Sequence, residues 1–271
     1  MALYISVLTV ATIIAATIAA YWHSFKKIQS GRELLPEADM LPVQWGLLRG
    51  SGVFFLFVLF HLGASLIYIT VWGRPDTSAA FAGTAIMAYG LNLITLTAIY
   101  LNANSGGDAM KALGLKSLPV VKALGIGAYA YLLFIPFQLI YGIVVHTAWS
   151  LLTDRPFPVQ EVSDIIIRAE GLSFAVLVVV ATVLAPFFEE VVFRAFLQAG
   201  MEKSLGPSAG IFLTAILFTV VHGAHAMLQV FPVAMALGLL YWRTRSLAAC
   251  IAFHCCVNIT ALLLLPLLPL A

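Results

Sequence analysis

Along most of this chain the hydrophobic positions run together instead of alternating with polar ones. Eight such stretches stand out, at residues 2–22, 47–73, 81–102, 123–150, 171–200, 209–224, 226–242 and 247–267. A helix needs about 20 mostly apolar residues to cross a bilayer, and these runs are of that order. Strand-like alternation is missing, and a helix that is apolar all round is a buried or membrane-spanning one. The pattern therefore predicts an all-α, polytopic transmembrane helix bundle of about eight spanning helices. The break between the sixth and seventh stretches rests only on His222-Gly-Ala-His225. The first stretch lacks a basic leader and is followed by Lys26, Lys27 and Arg32, so it reads as an uncleaved first helix.

Composition agrees with this pattern. Hydrophobic residues make up 62% of the 271 positions and charged residues 10%, whereas a soluble domain carries about 25% charged residues. The formal net charge of +2 and the lack of a basic run give no footing for nucleic acid. Carrying the chain through the membrane eight times puts 11 of its 14 Lys and Arg residues on one side. Only Arg74, Arg155 and Arg168 fall on the other. The richer side is expected to be cytoplasmic, with both termini outside and the protein in a bacterial plasma membrane. Segments 24–46 and 103–122 are then expected as cytoplasmic loops with short surface helices, and 152–170 as an external turn followed by an interfacial helix. Residues 1–170 form about four N-terminal spans with their loops, 171–262 the functional core, and 263–271 the end of the last helix. The three cysteines, Cys250, Cys255 and Cys256, lie in the last apolar stretch and offer no disulfide framework or Cys-x-x-Cys pair. They read as buried apolar residues.

Two of the twelve acidic residues break the pattern. Ten are expected in loops or at membrane edges, Glu202 among them. Glu189 and Glu190 instead stand inside the run Leu184-Ala-Pro-Phe-Phe-Glu-Glu-Val-Val-Phe-Arg-Ala-Phe-Leu197. An acid at the centre of a spanning helix costs roughly 2.5–3.5 kcal/mol, and such residues mark functional sites by default. Glu190 and Arg194 are four apart and can pair on one helix face. Glu189 is turned by about 100° from Glu190, which leaves it free to act on a water as a general base. Pro186 is expected to kink this helix and open space beside the carboxyls. Phe218 and His222 share a face of the sixth stretch, as His254 and Asn258 share one of the eighth. At 1.5 Å per residue, Glu189, His222 and His254 lie about 16, 20 and 12 Å from the cytoplasmic ends of their helices. They can therefore converge at one depth, with two histidines and an amide available for proton transfer and for holding an oxyanion.

These residues resemble the motifs of the CAAX prenyl protease and bacteriocin-processing (Abi) family of intramembrane glutamic proteases. Its Glu-Glu-x-x-x-Arg, Phe-x-x-x-His and His-x-x-x-Asn patterns read here Glu189-Glu-Val-Val-Phe-Arg194, Phe218-Thr-Val-Val-His222 and His254-Cys-Cys-Val-Asn258. The segment from Gly238 to Leu247 is also similar. The resemblance implies a metal-free, cofactor-free endopeptidase of about eight helices, with a cavity open to the cytoplasm and a membrane-associated peptide or protein as substrate. It implies that Glu189 and His222 activate the water, that His254 and Asn258 form the oxyanion hole, and that Glu190, Arg194 and Phe218 shape the site. Ala195 stands where the family often has glycine, with no expected chemical consequence.

Other readings of the same residues predict different chemistry. His222, His225, His254 and a glutamate offer a three-ligand zinc site, although no His-Glu-x-x-His pair is present. Buried Glu and His also build proton relays in transporters, but two matching halves with interrupted helices are not evident. A catalytically silent scaffold is a third reading. His225 follows His222 by three residues and is a candidate supporting group of the site. His23, His61 and His146 lack acidic company and read as structural. Phe187, Phe188, Phe193 and Phe196 read as packing and cavity lining.

Overall fold

The computed structural model describes residues 2–73, 77–158, 161–223 and 226–264. Among them the chain is helical with no strand. The helices are α1 (Ala2–Gln29), α2 (Leu47–Trp72), α3 (Ser78–Asn104), the single turn α4 (Ala109–Ala112), α5 (Val120–Thr153) and α6 (Glu161–Ile167). They continue with α7 (Gly171–Val179), α8 (Ala185–Glu190), α9 (Ala199–Leu205), α10 (Pro207–Val221), α11 (Met227–Thr244) and α12 (Leu247–Leu264). Side-chain caps mark two of the starts. Thr77 accepts the Ala80 N–H at 3.2 Å before α3, and Asp108 accepts the Lys111 N–H at 3.0 Å before α4. The exposed Asp108 carboxyl is also held below its ordinary range by a hydrogen bond from Lys116.

Each of the eight apolar stretches coincides with a helix or, for residues 171–205, with one continuous run of helix. Six of these are long and apolar enough to cross a membrane: Leu8–Gln29, Leu47–Val71, Ser78–Asn104, Val120–Thr153, Gly171–Leu205 and Leu247–Leu264. The other two fall short for different reasons. Helix α10 has 15 residues, about 22 Å at the helical rise. Helix α11 has 18 but includes Gln229, Pro232 and Arg243. Each packs one face into the bundle, through Thr214 and Phe218 of α10 and Leu237 and Tyr241 of α11, while Phe212, Val220 and Leu239 stay exposed.

The polarity is inverted relative to a soluble fold. Leu59, Leu62, Leu66, Ile140 and Ile143 point outward, more than 60% exposed, while Asn92, Glu190, Arg194, Gln198 and Thr214 are wholly buried. A bilayer permits this arrangement, since lipid solvates apolar side chains and leaves polar ones to be satisfied inside. The core is aromatic: Phe193 packs edge-on against Phe54, Phe57 and Phe218, with ring centroids 5.5, 6.1 and 4.9 Å apart. Helices α5 and α12 approach so closely that a Cβ on Gly127 would lie 2.2 Å from the Ala249 carbonyl oxygen. Helix α1 is peripheral and leans on α5 through Ser24–Tyr129 (2.5 Å) and Tyr21–Leu133 O (2.8 Å).

One end of the bundle is rich in Lys and Arg, and loops cover it. Segment 30–46 contains no helix and is tied down at many points. Arg243 pairs with Glu33 and Glu37 at 2.9 and 2.6 Å, Lys203 donates to Val43 O at 2.9 Å, and the Leu47 N–H donates to Ser204 Oγ at 2.9 Å. Buried Trp45 stacks on Phe196 at 4.5 Å and donates to its carbonyl at 2.8 Å. The short helix expected within 152–170 is present as α6, and Arg168 just beyond it is bonded to Asp164 at 3.0 Å. Cys250 is buried as expected, but Cys255 and Cys256 are only half-buried, because their side of α12 is incompletely covered.

Candidate active site

The two carboxyls stand on α8, a short α-helical piece between two π-helical segments, Val180–Leu184 and Val191–Gln198. Pro186 does not break the helix. Its missing N–H is absorbed by the wider π register, in which the Ala185 N–H reaches Val180 O. In that register Pro186 would be the donor to Ala181 O, and it has no hydrogen to give. Asn258 supplies one from α12, its Nδ2 donating to Ala181 O at 2.8 Å. The proline expected to kink the helix therefore creates an acceptor that binds the third motif to the first.

The structure brings Glu189, Glu190, Arg194, Phe218, His222 and His254 together. Glu190 is fully buried. Its Oε2 accepts from Arg194 Nε at 3.3 Å, and its Oε1 lies 2.8 Å from His254 Nδ1. A carboxylate only accepts, so the imidazole Nδ1 carries the proton and the ring is fixed with Nε2 facing away. His222 is fixed in the same sense by a different partner: its Nδ1 lies 2.7 Å from Phe218 O, which also only accepts. Both Nε2 atoms then face Glu189, at 3.7 Å for His222 and 3.9 Å for His254. Glu189 Oε2 itself is buried and has no hydrogen-bond partner. Phe218 forms the floor, its ring centroid 4.5 Å from that of His222, 5.8 Å from that of His254 and 5.2 Å from the Arg194 guanidinium carbon. Phe187 stays 40% exposed at the rim, whereas Phe188, Phe193 and Phe196 are core. Ala195 is fully buried without a polar role. His225 lies outside the described residues.

Four further side chains, Gln198, Glu202, Arg245 and Tyr89, support this cluster, and none was among the expected site residues. Arg194 Nη1 donates to Gln198 Oε1 at 3.3 Å, and Gln198 Nε2 donates to Glu202 Oε1 at 2.7 Å and to Gly238 O at 2.9 Å. Glu202 closes the chain on Arg245. Glu190, Arg194, Gln198 and Glu202 thus form a buried polar ladder with one rung every four residues. Glu202 is 4% exposed, buried within the protein. Arg245, which pulls it inward, sits 43 positions away in sequence in the left-handed conformation at the α11–α12 junction. A side chain on Gly238 would meet Ile211 at 2.9 Å and Gln198 Oε1 at 3.3 Å, so that glycine keeps room for the ladder. On the other flank, buried Tyr89 packs on Phe188 at 5.1 Å and lies within electrostatic reach of Glu189. The four-residue spacing was visible in the sequence; Tyr89, 100 positions from Glu189, carried no signal.

His61 and His146 have partners of their own, away from the site. His61 lies 3.0 Å from Asn92 Nδ2, and His146 Nε2 lies 2.7 Å from Gln229 Nε2. Among the described residues, no three of His, Cys, Asp and Glu are grouped so as to hold a metal ion.

Fold and site together define a multi-pass helical membrane protein with a buried Glu/His/Arg cluster inside the bundle. Residues 171–260 match the family of Rce1-like type II CAAX prenyl endopeptidases, the family to which the three motifs point. The match covers about a third of the chain, the part that carries Glu189, Glu190, Arg194, His222, His254 and Asn258. No curated protein and no solved structure matches the chain.

Proposed function

We propose that this protein is a glutamate-dependent endopeptidase that hydrolyses a peptide bond of a membrane-associated substrate without a metal. The observation that carries the reading is the convergence of two oriented imidazoles on one unpartnered, buried carboxylate oxygen, Glu189 Oε2. Separations of 3.7 and 3.9 Å exceed direct hydrogen bonds and are of the kind that a water molecule bridges. In this reading Glu189 takes a proton from that water, helped by the His222 Nε2 lone pair. The resulting hydroxide adds to the scissile carbonyl carbon, and negative charge collects on its oxygen. In this reading His254 carries a proton on each ring nitrogen, one held by the Glu190 carboxylate, and donates the Nε2–H to that oxygen. Asn258 has two amide hydrogens and offers the one that Ala181 does not use. Collapse of the tetrahedral intermediate breaks the C–N bond, and protonated Glu189 returns its proton to the leaving amine. General-base catalysis of this kind contributes about 10²–10⁴-fold, and each oxyanion donor about 10²–10³-fold.

The family description, type II CAAX prenyl endopeptidase, favours a prenylated C-terminal tail as the substrate. A lipidated C-terminal tail would enter such a bundle from the bilayer and reach Glu189 past Phe187. Comparing the proteomes of membranes carrying wild-type and Glu189→Gln protein tests this reading. Defined C-terminal or juxtamembrane fragments should disappear in the variant. Identical fragment sets at equal protein abundance would contradict it.

A further inference from the structure

Apart from the catalytic cluster, a cavity of about 460 Å³ lies at the basic end of the bundle, between the last turn of α1 and the first turns of α5. Its walls include His23, Lys27, Glu33, Lys122 and Tyr129. We propose that this cavity binds the phosphate-bearing headgroup of an anionic phospholipid.

Charge is the first ground. Two lysines and a histidine face one acid, and that acid is already paired: Glu33 Oε1 lies 2.9 Å from Arg243 Nη2. The cavity is therefore cationic. Lys27 is held in place, donating to Leu34 O at 3.2 Å and lying 5.4 Å over the Tyr129 ring, itself hydrogen-bonded to Ser24. The second ground is the start of α5. Pro119 precedes it with no side-chain cap, and its first turn holds no acid. Lys122 stands there instead, so a cation adds to the positive end of the helix dipole, where an anion is ordinarily favoured. A bound phosphate offsets both. The third ground is depth. Tyr21, Trp22 and Phe25, between 47% and 59% exposed, ring the same turn of α1, and Lys26 lies 5.1 Å over Trp22. Aromatic residues at this exposure beside lysines mark the headgroup level of a bilayer. Headgroup depth favours a lipid over a free anion. Basic pockets between spanning helices are where anionic headgroups bind, and the volume is within the range of small-molecule sites, about 300–1,000 Å³.

The test uses the full-length protein in nanodiscs containing phosphatidylglycerol and phosphatidylcholine in equal amounts, with retained lipids counted by native mass spectrometry. Wild type should retain phosphatidylglycerol preferentially. Lys27→Gln with Lys122→Gln should lose that preference, by about fivefold per lysine, while Lys27→Arg with Lys122→Arg should keep it. Inorganic phosphate at millimolar concentration should leave the retained lipid in place. Equal retention of the two lipids by wild type, or an unchanged preference in the Gln variant, would overturn the proposal. Displacement by phosphate would assign the cavity to a free anion. An unchanged lipid preference with a raised KM for peptide would assign its cations to the substrate, and either result rejects a lipid site.

Discussion

Adjacent in sequence, Glu189 and Glu190 are set to different tasks by a rotation of about 100°. Glu190 turns inward to Arg194 and His254, and Glu189 turns toward the two free imidazole nitrogens. Their substitutions should therefore fail in different ways. Glu189→Gln removes a general base but no hydrogen bond, so proteolysis should fall by about 10²–10⁴-fold at unchanged membrane abundance, read by quantitative blotting. Arg194→Ala leaves Glu190 buried without its guanidinium and the Gln198 amide without a donor. Loss of one partner of a buried pair costs about 3–5 kcal/mol, so folded protein should fall with activity. Normal abundance and turnover in that variant would contradict the pairing. At this scale the sequence was informative because an acid in an apolar helix is costly and a four-residue spacing fixes a face. Glu189, His222 and His254 were legible for that reason. His225 was equally visible, yet it lies outside the described residues.

At the scale of the helix, the informative feature is the change of register around α8. Pro186 cannot donate to Ala181 O, and Asn258 does so from α12. Asn258→Leu should leave that carbonyl unsatisfied at a cost of about 1–3 kcal/mol, seen as a lower melting midpoint in detergent in addition to slower cleavage. Slower cleavage with unchanged stability would mean that the amide serves only the oxyanion. The ladder from Glu190 to Arg245 makes a second prediction. Glu202→Leu strands buried Arg245 and should lower folded yield, whereas Glu202→Leu with Arg245→Met should recover most of it, because replacing both members of a buried pair is often neutral. Additive losses in that double variant would deny the pairing. Half of the ladder could be read from its spacing. The other half could not: Arg245 meets Glu202 only because α10 and α11 carry the chain across the bundle and back. The π register was equally hidden, since apolar periodicity locates a helix without fixing its hydrogen-bond pattern.

For the whole molecule, the bilayer acts as the solvent. Apolar side chains face out and charged ones are paired within, so run length alone located the eight helices to within a few residues at most ends. The sequence could not show which faces of α10 and α11 the bundle covers, because burial by protein and burial by lipid read alike in composition. The charge asymmetry still predicts sidedness: a cysteine placed at Ser105 should be labelled from the cytoplasm and one at Thr153 only from outside. Labelling of both from one face would contradict the alternation of spans.

The central claim is that Glu189 performs the hydrolysis. It is tested most directly by the turnover of a cleaved membrane peptide by purified wild-type and Glu189→Gln protein, each measured with and without a metal chelator. The account predicts wild-type turnover that the chelator leaves unchanged and a loss of at least about 10²-fold in the variant. A Glu189→Gln protein that cleaves at the wild-type rate, or a wild-type protein silenced by the chelator and restored by zinc, would contradict it.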